Sequence, residues 1–252
     1  MKKILALLMT LFFLSSMLVS CDNTQKILKK ANAALQEAPY AMTLKISCEC
    51  DNKEYNKIFS SMDMRIPITV DGKNISMDLK INVNGYRAIA KVIVADMVVY
   101  NKVETISQTV KMKADMNDEQ YQEFMEKNNA EMMLSPKDFG ELTVETKDGK
   151  EYIACDKVSE EGLEELNDMI AEILKSLDGE ATVSDVAYGV TLNDGKYESM
   201  EMTCVYSVTV GGETCNVTYH LSAEFTYGNI PKVYTPEDAS SYQEISFDEL
   251  MG

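Results

Sequence analysis

The chain of 252 residues has no tryptophan, only two arginines (Arg65 and Arg87) and one histidine, His220. Tryptophan and arginine are the side chains that most often anchor protein interfaces, so the usual anchors are missing. With a single histidine, a serine or cysteine nucleophile has little choice of base. No G-x-S-x-G, S-x-x-K, H-E-x-x-H, Walker or G-x-G-x-x-G pattern occurs either, so no catalytic residue is expected. Positive charge is scarce: 24 basic against 41 acidic side chains give a formal net charge of −17. Such a surface repels nucleic acid, which excludes DNA and RNA as partners. No stretch rich in proline, glycine or serine divides the chain, so one large domain is expected.

Against these absences, the N-terminus is distinctive. Lys2 and Lys3 precede an almost unbroken apolar run, Ile4 to Leu14, and small residues then lead to Cys21. That layout is a secretory signal, and the run is too short for a membrane span, which takes about 20 apolar residues. Leu18-Val19-Ser20-Cys21 resembles the bacterial lipobox. The resemblance implies cleavage before Cys21, diacylation of its thiol and a lipoprotein anchored on the outer face of the bacterial cell membrane. Residues 1–20 would then be removed, and losing Lys2 and Lys3 takes the net charge of the remaining chain, 21–252, from −17 to −19.

Asn23 to Glu37 places Ile27, Leu28, Ala31, Ala34 and Leu35 on one helical face, with Lys26, Lys29 and Lys30 opposite. These lysines read either as a membrane-proximal basic face against anionic headgroups or as an ordinary solvated helix face.

From Ala41 to Asp115 the period changes to alternation, and the turns predict registers. A loop at Asp71-Gly72 puts Ile68 opposite Ile75, Ile66 opposite Met77, Met64 opposite Leu79 and Met62 opposite Ile81. A loop at Asn84-Gly85 puts Ile81 opposite Ala88 and Met77 opposite Val92. Two more strands are expected over Met97–Val103 and Thr105–Lys113. A helical insertion spans 117–177: one helix capped by Asn117 carries Tyr121, Phe124, Met125, Met132 and Met133. A hairpin at Asp148-Gly149 follows, with Val144 opposite Ile153 and Leu142 opposite Cys155. Ser159 then opens a helix bearing Leu163, Leu166, Ile170, Ile173, Leu174 and Leu177. In the last third, a three-residue loop of Asn193, Asp194 and Gly195 puts Tyr188 opposite Met200 and Val186 opposite Met202. Gly211-Gly212 puts Val208 opposite Cys215 and Tyr206 opposite Val217, and a polar tail with Pro236, Tyr242 and Phe247 ends the chain. The count is about eleven strands in one antiparallel sheet with helices on one face, an α+β fold.

Five cysteines follow Cys21, and an odd number cannot all pair internally. Cys48, Cys50, Cys204 and Cys215 fall on inward positions, where a thiol acts as a small apolar group. Cys204 opposite Tyr219 leaves Cys215 about 13 Å along the sheet, beyond disulfide reach. His220 falls on an outward position beside Asn216, Thr218 and Glu224 and reads as a solvated surface residue. Seventeen methionines beside inward cysteines raise a soft copper(I) site, but no cluster has matching spacing, so no metal is expected. Met62, Met64, Met77, Tyr188, Met200, Met202 and Tyr206 share the inward side. They read as core filling or as a pliable cavity lining for a lipophilic ligand.

The order of elements behind a lipidated cysteine resembles the bacterial lipoprotein-localisation proteins LolA and LolB and the related mycobacterial lipoglycan-carrying lipoproteins. The resemblance covers the chain after Cys21 and rests on element order. It implies a curved, incomplete barrel whose concave face holds helices, with an apolar cavity between them that takes acyl chains. The function it implies is lipid binding without catalysis and without a cofactor. The alternative is a membrane-displayed structural or protein-interaction module with a filled core.

Overall fold

The alternation of apolar and polar residues that runs through most of the chain becomes strand, and the strands join one another edge to edge. The computed structural model describes residues 22–53, 56, 64–83, 86–129, 142–155, 158–160, 163–164, 167, 180–210 and 213–251. Among them are strands β1 (Tyr40–Cys50), β2 (Met64–Asp71), β3 (Asn74–Val83), β4 (Tyr86–Ala95), β5 (Val98–Thr105) and β6 (Thr109–Asp115). Next come β7 (Thr143–Lys147), β8 (Lys150–Cys155), β9 (Glu180–Asn193), β10 (Lys196–Val210), β11 (Glu213–Tyr227) and β12 (Gln243–Glu244). All twelve belong to one open sheet of order β12-β6-β5-β4-β3-β2-β1-β11-β10-β9-β8-β7. Two meanders, β1–β6 and β7–β11, therefore meet along the pairing of β1 with β11.

The turns explain which registers are as expected. Ile81 faces Ala88 and Met77 faces Val92, Val144 faces Ile153, and Val208 faces Cys215 while Tyr206 faces Val217. Two registers differ. Asp71 pairs with Asn74, so the first loop is Gly72-Lys73, and Ile68 faces Met77 while Val70 faces Ile75. Gly72 has φ +63°, as the first loop position of a type II′ turn requires, which moves the turn one residue along. In the other, Asn193 pairs with Lys196 across Asp194-Gly195, both at positive φ, and a bulge follows between Tyr197 and Ser199. Tyr188 consequently faces Met202, Val190 faces Met200 and Val186 faces Cys204. Both corrections shift the partner by two residues, which keeps Met77, Tyr188, Met200 and Met202 on their expected face, while bulges at Tyr197/Ser199 and Val205/Tyr206 bring Tyr197 and Val183 to it as well.

Beside the strands the described residues hold α-helices α1 (Asp22–Glu37), α2 (Asp118–Asn129) and α3 (Phe247–Met251) and a short 3-10 helix at Ala239–Ser241. Leu28 and Ala31 of α1 are fully buried in the same cluster as the inward residues of β1, β2 and β8–β11. Asn117 caps α2 reciprocally, its Oδ1 accepting from Gln120 N–H at 2.8 Å while Gln120 Oε1 accepts from Asn117 N–H at 3.0 Å. Tyr121 and Phe124 of α2 then bury against Val92, Val94, Val99 and Ala114, on the same sheet face. Ser159 accepts a helical hydrogen bond from Leu163 N–H at 2.9 Å. The expected helix positions Leu166, Ile170, Ile173, Leu174 and Leu177, together with Met132 and Met133, lie outside the described residues.

The C-terminal segment is a correction to the expected polar tail. After Tyr227 the chain crosses the other sheet face, where Val233 and Tyr242 bury against Ile93, Ala95 and Tyr100. Gln243 and Glu244 pair in parallel with Met112 and Lys113 as a twelfth strand along the β6 edge. Phe247 then enters the cluster of Val92 and Val99, so the tail passes around the edge from one face to the other. Lys111 holds the crossing, donating to Asp238 at 2.6 Å and Ser241 at 2.9 Å. The hydrogen bond from Lys111 keeps the Asp238 carboxyl below its ordinary pKa. A carboxylate depressed in the fold stabilises it above the unfolded value, near 4, and that contribution is lost as pH falls. Relative to the intrinsic exchange rate at each pH, protection of the amides over Tyr242–Ile245 is therefore expected to fall on acidification through the carboxylate range. Asp238→Asn should show the lower protection at every pH; protection in the tail that does not respond to acid would count against this clasp.

Candidate functional site

The apolar face forms by pairing, row upon row. Cys155 faces Tyr188, Tyr188 faces Met202, Met202 faces Leu221, Leu221 faces Ile46 and Ile46 faces Met64. The next row runs Ile153, Val190, Met200, Ala223, Leu44 and Ile66. Each row crosses six strands, which at about 4.8 Å per strand is a length of about 24 Å. That exceeds the roughly 15 Å occupied by one leaflet of a 30 Å hydrocarbon core.

The expected lining residues gather on this face. Met64, Tyr188, Met200 and Met202 are buried to between 3% and 9% exposure, and Met77 and Tyr206 pack against the same cluster partly buried. Met62 lies outside the described residues. Polar atoms are few here. Tyr197 donates to Asn32 of α1 at 2.8 Å, joining helix to sheet. The Tyr219 hydroxyl is buried with no hydrogen-bond partner among the described residues. Its ring stands edge-on to Tyr206, with centroids 6.3 Å apart.

No family model matches the chain, and no curated protein matches it. The site is therefore read from its own chemistry.

Burial pushes the Cys48 thiol up to about 11 and Cys204 up to about 12. Tyr188, Tyr206 and Tyr219 are raised for the same reason. These groups are neutral at physiological pH and are poor nucleophiles. Because each is raised in the fold, its contribution is full below the unfolded pKa and is lost as pH climbs towards the folded value. Urea midpoints are expected to fall progressively above about pH 9, where unfolded thiols ionise. Cys204→Val should flatten part of that decline; a midpoint unchanged to pH 11 would contradict it.

On the opposite face His220 is exposed, with Nδ1 3.2 Å from Thr203 Oγ1, beside Lys45, Ser47, Glu201 and Ser222. Its outward placement is the expected one. Lys30 is exposed and lies along the Asp194-Gly195 turn, where a Cβ on Gly195 would stand 3.3 Å from Lys30 Cε. The side chains of Lys26 and Lys29, and the whole of Cys21, lie outside the described residues.

The β1–β11 pairing also produces a constellation that spacing along the chain does not suggest. The Sγ atoms of Cys50 and Cys215 and a carboxylate oxygen of Asp51 lie within 4.8 Å of one another. It is the one such group of ligand-type side chains among the described residues. The signal that finds it is the pairing of Cys50 with Val217, which places Cys215 one step diagonal. None of the five cysteines that follow Cys21 is in a disulfide.

Proposed function

We propose that this chain is a cell-envelope lipoprotein, tethered at a diacylated Cys21, that binds a lipid or another lipophilic molecule without catalysis. The observation that carries the reading is the pair of six-strand apolar rows, rich in methionine and longer than an acyl chain in one leaflet. Methionine suits this use because its unbranched thioether adapts to ligands of different shape. The buried hydroxyl of Tyr219 offers a polar contact on a face built mostly of apolar side chains. The tether is short as well: α1 begins at Asp22, directly after the lipobox cysteine, and already buries Leu28 and Ala31 in the core. A lipophilic molecule leaving the bilayer would have little distance to cover. The finer architecture that goes with this proposal is an incomplete barrel of the LolA and LolB kind, with helices over the apolar face.

The second reading is a membrane-displayed interaction module with a filled core. The near-complete burial of Met64, Tyr188, Met200 and Met202 favours it, since close packing leaves no room for a guest. Native mass spectrometry of the protein released from mild detergent separates the two. Copurified lipid in stoichiometric amount, lost on substituting Met200 and Met202 with tryptophan, is the expected result. No copurified lipid, and no thermal shift with any phospholipid or fatty acid added, would sink the carrier reading.

A further inference from the structure

We propose that Cys50, Cys215 and Asp51 form a binding site for a borderline-soft divalent cation of the zinc class. The three donors come from two places that the fold brings together. Cys50 is the last residue of β1, and Cys215 lies near the start of β11. Adjacent residues of a strand point to opposite faces, so Asp51 would ordinarily face away from Cys50. The strand stops at Cys50, and Asp51 turns its carboxylate towards both sulfurs, all within 4.8 Å.

Asn216 fixes that turn. Its backbone N–H donates to Asp51 Oδ1 at 2.9 Å, its side-chain Nδ2 to Asp51 Oδ2 at 3.0 Å, and its carbonyl accepts from Asp51 N–H at 3.0 Å. The Cys50 N–H is held in turn by Asn56 Oδ1 at 2.8 Å. A carboxylate has about four acceptor positions, so two hydrogen bonds leave it able to ligate. Outer hydrogen bonds of this kind orient metal ligands and are part of a working site. Burial is graded in the same sense: Cys215 is 2% exposed and Cys50 8%, whereas Asp51 faces solvent. The cation would enter past Asp51 and settle on two sulfurs above an apolar floor.

Geometry separates this use from a disulfide. Cys50 pairs with Val217, which makes Cys215 its diagonal neighbour. Diagonal neighbours have Cα atoms about 7 to 8 Å apart, beyond the roughly 4.4 to 6.8 Å of disulfides. A tetrahedral zinc with bonds of about 2.3 Å to sulfur holds two sulfurs about 3.8 Å apart. Contraction of about 1 Å at most therefore brings the two sulfurs to that spacing. Two thiolates and one carboxylate select zinc or cobalt(II) over magnesium or calcium, and a fourth position remains for water.

The test uses the full chain in mild detergent, reduced and free of oxygen, with cobalt(II) as probe. The expected result is one cobalt per chain with sulfur-to-cobalt charge-transfer absorption and the visible bands of a tetrahedral ion, both removed by zinc. Cys215→Ser should weaken binding at least a hundredfold, and Asp51→Ala, at the exposed rim, about tenfold. Cys204→Ser, on the same buried face but outside the trio, should bind as the parent does. Absence of cobalt-thiolate absorption, undiminished affinity in Asp51→Ala, or a Cys50–Cys215 disulfide in protein isolated without reductant would each overturn the site.

Discussion

Cys21→Ser is expected to move the protein from the membrane fraction to the soluble fraction and to abolish incorporation of labelled palmitate. The effect should be close to complete, because on the proposed reading the acyl chains on Cys21 supply most of the hold on the bilayer. Each methylene of a buried acyl chain contributes about 0.8 kcal/mol, and two chains give stable anchoring where one is marginal. Among the described residues no helix is long and apolar enough to cross a membrane. Lys26, Lys29 and Lys30 would add about 1 kcal/mol each beside anionic lipid. That is too little against a chain whose acidic side chains outnumber the basic ones 41 to 24. Fractionation of cells expressing parent and variant, followed by intact mass measurement, decides the matter. A serine variant still found in the membrane pellet, at the parent's level, would remove the lipid anchor from the proposal.

Leu44→Ala is expected to lower the unfolding free energy by about 3 kcal/mol, within the 2 to 5 typical of a buried leucine. Leu44 is fully buried on β1, with Ile66 on one side and Ala223 on the other. It therefore packs at the seam between the two meanders. The adjacent Lys45 points to the other face and pairs with Glu224 at 2.6 Å, both side chains well exposed. Exposed ion pairs contribute little, so Lys45→Ala should change stability by less than about 1 kcal/mol. Urea denaturation of both variants tests the contrast. A single transition with unchanged slope and a lower midpoint is expected for Leu44→Ala. Two separate transitions would mean that the meanders unfold independently.

Much of this fold is legible in the sequence because tight turns carry their own chemistry. The Asp148-Gly149 loop has both residues at positive φ, which aspartate and glycine tolerate, and its register follows at once. The turn between β4 and β5 is harder to see: Asp96 and Met97 both sit at positive φ without a glycine, so no punctuation marks the spot. The bulge after Tyr197 is hidden for a related reason. It keeps Tyr197 and Met200 on one face although they are three residues apart, a spacing that alternation alone would not allow.

What the chain does not announce is pairing between distant segments. β1 and β11 are joined by no turn, so neither the seam at Leu44 nor the approach of Cys50 to Cys215 can be derived from local signals. The inward positions of Met64, Met200 and Met202, by contrast, follow from parity alone and survive both register corrections.

The passage of the tail around β6 has a consequence for how the molecule is made. The chain emerges N-terminus first, and β1 to β6 are complete long before Gln243 and Glu244 appear. Until then β6 offers a row of unsatisfied backbone groups to any neighbouring strand, and β1 waits for β11 on its other side. The half-made protein therefore exposes two unpaired margins at once. Gln243 and Glu244 act as a stopper, and a ribosome that stalls before them would leave a nascent product primed to aggregate.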